Sequence, residues 1–285
     1  MIVNDKKVLG IFGYPIGHTL SPLMHQVAAE YHSLDLIYLA FSVKPPDLPA
    51  ALAGIKALGI KGVNLTIPHK EAAIPLVDEL SEEARLIGAI NTIVLADGKL
   101  IGHNTDGQGF ITSLSRDVGE SPKGKTILLL GAGGAARAIA IHLALARAKR
   151  IIIANRTLNR AEELASYLEK HSNRVSVCAI PLEKEILITH MEEAEIIINT
   201  TPIGMSRDDM VILPGERLRP QQLVCDIVYR PLNTPLLQAA KAKGGKTLDG
   251  LGMLIYQGAL SFKLWTGRDM PVELVRKRLL QELLP

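Results

Sequence analysis

At 285 residues the chain is long enough for one large domain or two ordinary ones, and 47% hydrophobic with 21% charged residues predicts a normal buried core. A formal charge of +3 and an isoelectric point near 8.8, without dense Lys/Arg runs or interleaved aromatics, argue against nucleic acid as a partner and suit small anionic ligands. The start, MIVNDKKVLGIFG, lacks signal-peptide features and no apolar run approaches membrane-spanning length, so the expectation is a cytoplasmic protein with no membrane partner.

In chain order, KVLGIFG predicts a strand and SPLMHQVAAEYHSL a helix, with Leu23, Val27, Tyr31 and Leu34 on its apolar stripe, Ser21 as N-cap and Pro22 as first helical residue. A strand around Leu36 to Val43, a helix around Asp47 to Leu58 stopped by Gly59, and the strand in GVNLTIPHK complete a βαβαβ pattern, which implies a parallel sheet. A further helical stretch begins at Ser81. NTIVLADGKLIGHN then reads as two strands around a two-residue turn at Asp97-Gly98. Counting back from that turn, Ala96 faces Lys99 and Asn91 faces Asn104, which brings Asn91 close to Asp106.

The second half opens with KTILLLGAGGAARAIAIHLALARAKRIIIANRT, a strand, a glycine-rich turn, an Ala-rich helix and a second strand. Gly131, Gly133 and Ala136 fit G-x-G-x-x-G/A in the context that the pattern requires. Residues without Cβ atoms let the chain turn tightly, and the helix N-terminus offers free N–H groups and a positive dipole end to a pyrophosphate. Further strands near Val175, Glu195 to Asn199, Leu223 to Val228 and Lys246 to Leu248 predict a six-stranded, doubly wound dinucleotide domain. At the end of its second strand stand Asn155, Arg156, Thr157 and Arg160, with no acid to bond a ribose 2′-hydroxyl. Guanidinium groups there favour NADP over NAD, although both arginines also fit as solvated charges at a helix start. Cys178 and Cys225 lie in apolar strand-like runs without metal-ligand spacing, which predicts buried thiols.

Four polar clusters of the first half fall where strands end: Thr19 and Ser21 in GHTLSP; Asn64, Thr66 and Lys70 in NLTIPHK; Asn91 and Thr92 in INT; Asn104 and Asp106 in HNTDGQG. The C-terminal ends of parallel strands share one edge, so these clusters converge, and their chemistry suits a small hydroxylated anion. Read alone, Lys70 also fits as a solvated lysine at a helix start and Asp106 as the N-cap of GQGFITSL. His18, His69 and His103 sit beside the clusters without the i, i+4 pairing and carboxylate of a metal site, and are expected to be structural.

The ordered segments GYPIGHTLSP, GVNLTIPHK, GAINTIV, GHNTDGQGF, LLGAGGAARA, ANRT, NTTPIGM and DIVYRPLNTPLL make the chain resemble the shikimate dehydrogenase family across nearly its whole length. The resemblance implies NADPH-dependent, reversible reduction of 3-dehydroshikimate in chorismate and aromatic amino-acid biosynthesis. It implies an α/β fold of two domains: a substrate domain with a mostly parallel sheet, residues 1–105 plus 251–285, and a Rossmann-type doubly wound NADP domain, residues 106–250, with the active site in the cleft between them. The implied catalytic pair is Lys70 and Asp106. Substrate contacts would come from Thr19, Ser21, Thr66, Asn91, Tyr229 and Gln257. Gly131, Ala132, Gly133, Gly134, Ala135, Asn155, Arg156, Thr157, Arg160 and Thr201 would hold the cofactor, with Met205 and Gly252 near the nicotinamide and no metal.

In LGMLIYQGALSFKLW, Leu251, Leu254, Ile255, Gly258, Ala259 and Phe262 form an apolar side bordered by Gln257, which agrees with a last helix packing on the first domain. The family usually has serine where Thr19 stands; the added methyl group leaves quinate open beside shikimate. Two other readings are a folate-type dehydrogenase, which an aromatic content of 4% disfavours, and a non-catalytic ligand sensor, which should have lost Lys70 or Asp106. A monomer and a homodimer both remain open.

Overall fold

A computed structural model describes residues 6–17, 19–172, 175–206 and 212–284; His18 lies outside them. The fold is α/β, in two compact units, Met1–Asp106 with Ile255–Pro285 and Gly107–Leu254.

The first unit is built on a six-stranded sheet. β1 (Lys7–Gly13) pairs in parallel with β2 (Leu36–Ser42) and with β3 (Gly62–Leu65). The hairpin of β5 (Thr92–Ala96) and β6 (Lys99–His103) joins β3 antiparallel, and two-residue β4 (Glu79–Leu80) closes the far edge parallel to β6, giving the order β2-β1-β3-β5-β6-β4. The expected register holds: Ala96 pairs with Lys99 and Thr92 with His103, and the Asn91 N–H donates to the His103 carbonyl at 3.0 Å. Asp97 and Gly98 both take positive φ, 49° and 74°, the geometry whose twist suits a two-residue hairpin.

Side chains alternate across this sheet. Leu9, Ile11 and Tyr38 pack with Ala29 of α1 (Ser21–Tyr31), and Phe12, Val63 and Leu65 pack with Leu48, Leu52 and Ile55 of α2 (Leu48–Leu58). Gly59 ends α2 at φ 66°. The short helices α3 (His69–Ala72) and α4 (Glu82–Ile87) follow, the latter capped by the Ser81 hydroxyl on the Ala84 N–H.

The first helix departs from the sequence reading twice. Its buried face is Ser21, Met24, His25, Ala28 and Ala29, and Tyr31 is exposed. Two alanines permit close approach, and the His25 ring stacks on Tyr38 at 4.3 Å, so packing shape overrides the stripe through Leu23, Val27 and Tyr31. Ser21 is also not the cap: Leu20 holds that position, and the Thr19 hydroxyl accepts the Ser21 N–H at 3.2 Å instead.

The second unit carries an all-parallel sheet in the order β12-β11-β10-β7-β8-β9. Its strands are β7 (Thr126–Leu130), β8 (Arg150–Asn155), β9 (Ser176–Pro181), β10 (Ile196–Asn199), β11 (Leu223–Asp226) and β12 (Lys246–Leu248). Helices α6 (Gly134–Leu145), α7 (Leu158–His171), α8 (Lys184–Glu193) and α9 (Pro235–Ala242) connect them, while α5 (Asp106–Val118) and α10 (Gly250–Thr266) carry the chain into and out of the unit; α11 (Val272–Leu283) belongs to the first unit. Runs such as Ile127 to Leu130 and Ile196 to Ile198 are fully buried, as strands covered on both faces require. Cys225 is buried and burial pushes its thiol pKa up, whereas Cys178 is only half-buried because β9 is an edge strand. Among the described residues no helix is long and apolar enough to cross a membrane.

Candidate active site

At the C-terminal end of β3 the chain turns through Thr66, Ile67 and Pro68 into α3, a turn closed by the His69 N–H on the Thr66 carbonyl at 2.8 Å. His69 itself is buried and its Nε2 meets the Val43 carbonyl at 2.8 Å, an anchor for the turn. Lys70 is thereby placed on the first turn of α3. Its Nζ donates to Asp106 Oδ2 at 2.5 Å, and the lysine side chain is 15% exposed against 5% for the aspartate.

Asn91 fixes the other half of that carboxylate. The Thr105 backbone N–H donates to Asn91 Oδ1 at 2.8 Å, so the amide nitrogen must point the other way. That nitrogen donates to Asp106 Oδ1 at 2.9 Å and reaches the Thr105 hydroxyl at 2.9 Å and Gln257 Oε1 at 3.3 Å. Asn104 completes the frame by accepting the Asp106 N–H at 3.0 Å while its own amide donates to the Ala89 carbonyl.

Behind Asn91 runs a buried polar chain. The Tyr38 hydroxyl donates to Asn64 Oδ1 at 2.7 Å, and Asn64 Nδ2 donates to the Asn91 carbonyl, Thr92 Oγ1 and Ser261 Oγ at 3.0 to 3.1 Å. Ser261 lies 2.7 Å from Thr92 Oγ1, and Thr92 donates to Asn91 Oδ1 at 3.0 Å. Burial pushes the Tyr38 phenol pKa up, partly offset by the Ser21 hydroxyl. Ser21 is in turn the acceptor of the Thr19 hydroxyl at 3.2 Å. The structure therefore joins Lys70, Asp106, Asn91 and Gln257 directly and links Ser21 and Thr19 to them through Tyr38 and Asn64. Thr66 is half-buried, with its methyl group packed over Gly13. The half-buried His103 has its imidazole pKa lowered by burial.

Sequence reasoning missed Tyr38, Thr105 and Ser261. Ser261 carried one usable signal, its i+4 spacing from Gln257 on the predicted last helix.

In the second unit Gly131 follows β7 with φ 110°, and a Cβ there would stand 2.5 Å from the Thr200 hydroxyl. Gly133 precedes α6 with an ordinary φ of −90°, and a Cβ on it would meet nothing within 4 Å. No side chain caps the start of α6, so its first N–H groups have no side-chain acceptor, and the room beside Gly133 adds to a helix start whose chemistry fits a dinucleotide pyrophosphate. Ala132 is buried beneath the turn, and Gly134 and Ala135 are half-buried at its rim.

At the end of β8 the Asn155 amide donates to the Thr157 carbonyl at 2.8 Å, and Arg156, Thr157 and Arg160 are exposed. Thr201 bonds Asn199 Oδ1 at 2.7 Å, Met205 is exposed and Tyr229 is half-buried. Gly252 is buried where any Cβ would run into Ser113 and Asp117, which gives it a packing reason to be glycine. Sequence reasoning also missed the buried polar trio Asn199, Asp226 and Thr234. Among the described residues no group of three or more His, Cys, Asp or Glu is placed to hold a metal ion.

Three family models match in chain order: the shikimate dehydrogenase substrate binding domain over residues 11–93, shikimate / quinate 5-dehydrogenase over 113–227, and the shikimate 5'-dehydrogenase C-terminal domain over 250–280. The NADP(+) shikimate dehydrogenase of Alkaliphilus metalliredigens is 46% identical over 278 residues, 97% of this chain and 97% of its own. A crystal structure of a shikimate dehydrogenase in complex with NADP+ superposes with a TM-score of 0.91 at 43% identity, covering 100% of this chain and 98% of that one. The Thermus thermophilus enzyme, solved with NADP(H) and shikimate, gives 0.85 at 37% identity, covering 98% and 100%.

Proposed function

The chain belongs to the shikimate dehydrogenase family, and from that membership we propose how its own residues carry the reaction. It is an NADP-dependent oxidoreductase acting on a CH–OH group, reversibly reducing 3-dehydroshikimate to shikimate. The observation that carries the residue-level reading is the ion pair of Lys70 and Asp106, shielded from water and held from behind by Asn91.

The reduced nicotinamide, when bound, supplies hydride to the ring ketone. The ketone oxygen then gains charge and needs a proton. The Lys70 ammonium has two N–H groups beyond the one it gives to Asp106, so it stabilises the developing alkoxide and donates that proton. Asp106 keeps the ammonium aimed, and in the oxidative direction the pair takes the hydroxyl proton back. The direct Nζ–Oδ2 contact lets the proton pass within the pair, so the acid and base roles belong to the pair.

Substrate hydroxyls and carboxylate are met by Thr19, Ser21, Thr66, Asn91, Tyr229 and Gln257, whose hydroxyl and amide groups can both donate and accept. Substrate binding falls to residues 1–105 with 251–285 and NADP binding to 106–250. The glycine turn at Gly131 to Ala135 cradles the pyrophosphate, and Arg156 and Arg160 take the 2′-phosphate beside Asn155 and Thr157. Thr201, Met205 and Gly252 complete the cofactor site. On this reading the enzyme works in the cytoplasm on small molecules, as a monomer or homodimer. NADPH absorbance with 3-dehydroshikimate, and NADP with shikimate or quinate, tests the reading: turnover with shikimate and NADP is expected, and no turnover in either direction would overturn it.

A further inference from the structure

The parallel sheet of the second unit reverses its winding between β7 and β10, and the ligand crevice of such a sheet opens at the C-terminal ends of its strands at that point. The loop that follows β10 borders this crevice. Thr200 donates both its N–H and its hydroxyl to the Leu130 carbonyl, at 2.9 and 2.6 Å, and its hydroxyl occupies the space that a Cβ on Gly131 would need.

Asn199 shapes this loop. Its Oδ1 accepts the Thr201 N–H at 3.0 Å and the Thr201 hydroxyl at 2.7 Å, and its Nδ2 donates to the Ile203 carbonyl at 3.0 Å. The same Nδ2 donates to Asp226 Oδ1 at 3.0 Å. Asp226 Oδ1 also accepts the Val228 N–H at 3.1 Å, and its Oδ2 accepts the Thr234 hydroxyl at 2.8 Å. Asn199, Asp226 and Thr234 are all buried.

A carboxylate can only accept. The Thr201 N–H can only donate and the Ile203 carbonyl can only accept, so the Asn199 amide is set with Oδ1 toward Thr201, and the Asp226 carboxylate holds Nδ2 in that setting by a charge-assisted bond. An asparagine at 226 could still accept from Nδ2 through its own oxygen but without the charge, so the loop setting would be held more weakly. Burial lifts the Asp226 carboxyl to about 6, so the charge kept at neutral pH costs stability. A group that costs stability while ordering a crevice loop marks a functional rather than a structural demand.

We propose that Asp226 is a positioning residue for the cofactor site: through Asn199 it sets the backbone of residues 200–205, and through Thr234 it ties that setting to the start of α9. The inference rests on the reading that this unit binds NADP. The full-length Asp226→Asn variant tests it by NADPH fluorescence titration, thermal melting at pH 7.5 and steady-state kinetics. The expected result is a melting temperature equal to or above wild type, NADPH Kd and KM weaker by about fivefold or more, and a KM for shikimate within about twofold. A residue that merely held the fold would instead lower the melting temperature and affect both substrates alike.

Thr234→Val should weaken NADPH in the same way, and Thr234→Ser, which keeps the hydroxyl, should restore it. These two variants decide the matter if Asp226→Asn does not fold. Wild-type NADPH affinity in folded Asp226→Asn or in Thr234→Val overturns the inference alone; failure of the wild-type protein to bind NADPH overturns the functional reading and the inference with it.

Discussion

Asn91 has only one way to present its amide. The Thr105 N–H claims its oxygen, so its nitrogen must serve Asp106, which leaves the second carboxylate oxygen to Lys70. The geometry of the Lys70–Asp106 pair is thus set by backbone that the hairpin register supplies. On the proposed reading the cofactor choice rests on charge. Arg156 is exposed at the end of β8 with no acid beside it in Asn155-Arg156-Thr157, so removing it should cost one charge-assisted contact, about 1.5–3 kcal/mol, or tenfold and more in NADP affinity. The expected outcome for Arg156→Ala is a fall in the NADP-to-NAD ratio of kcat/KM; an unchanged ratio would remove Arg156 from the site. Lys70, Asp106 and Asn91 stood out in the sequence because polar residues interrupt apolar runs at strand ends, and the hairpin register brought Asn91 near Asp106. The pairing of Lys70 with Asp106 came only with the family resemblance, since each read alone also fits as a helix-start residue. Ser261 and Tyr38 were not. Each lies inside an otherwise apolar element, and only the neighbours across the sheet reveal that its hydroxyl is buried and bonded.

Among the elements, the glycine turn separates fold from function most cleanly. Gly131→Ala forces a methyl group into a backbone at φ 110° and against the Thr200 hydroxyl, so it should destabilise the protein by about 1–3 kcal/mol. Gly133→Ala meets open space at an ordinary φ, so the melting temperature should stay near wild type while NADPH affinity falls about tenfold or more, because the methyl group stands where the pyrophosphate must approach. Melting curves and NADPH titrations on both variants check this, and wild-type affinity in Gly133→Ala would contradict it. The same turn was readable from spacing and context, as was the hairpin, where a two-residue turn fixes every later pairing. The buried face of α1 was not readable. Its polar His25 and small alanines go inside because shape and ring stacking decide, and the hydrophobic count carries neither. The two-residue β4 and four-residue α3 are too short to leave a periodic signal.

Across the whole molecule two buried ionisable groups give stability opposite dependences on pH. Burial lowers the His25 imidazole in the first unit from 6.5 to about 3, so the unfolded chain binds the extra proton and stability is lost as pH falls below 6.5 toward 3. Burial raises Asp226 in the second unit from 3.8 to about 6, so the folded chain binds the extra proton and stability is lost as pH rises from 3.8 through 6. Asp226→Asn should therefore melt above wild type at pH 7, by an advantage on the order of 3 kcal/mol, and that advantage should vanish near pH 4. Melting curves from pH 4 to 7 would contradict this if the difference ran the other way. At this scale the alternation of strands and helices announced two α/β blocks, but it could not announce strand order; the antiparallel hairpin inside the first sheet follows from which edges are left to pair, a matter of tertiary packing. The most direct test of the account is steady-state turnover of 3-dehydroshikimate by Lys70→Ala, with circular dichroism to confirm folding. If Lys70 gives the proton as the alkoxide forms, kcat should fall by roughly 10²–10⁴-fold with a smaller change in KM; a near-normal kcat with a raised KM would make Lys70 a binding residue and contradict the proposed mechanism.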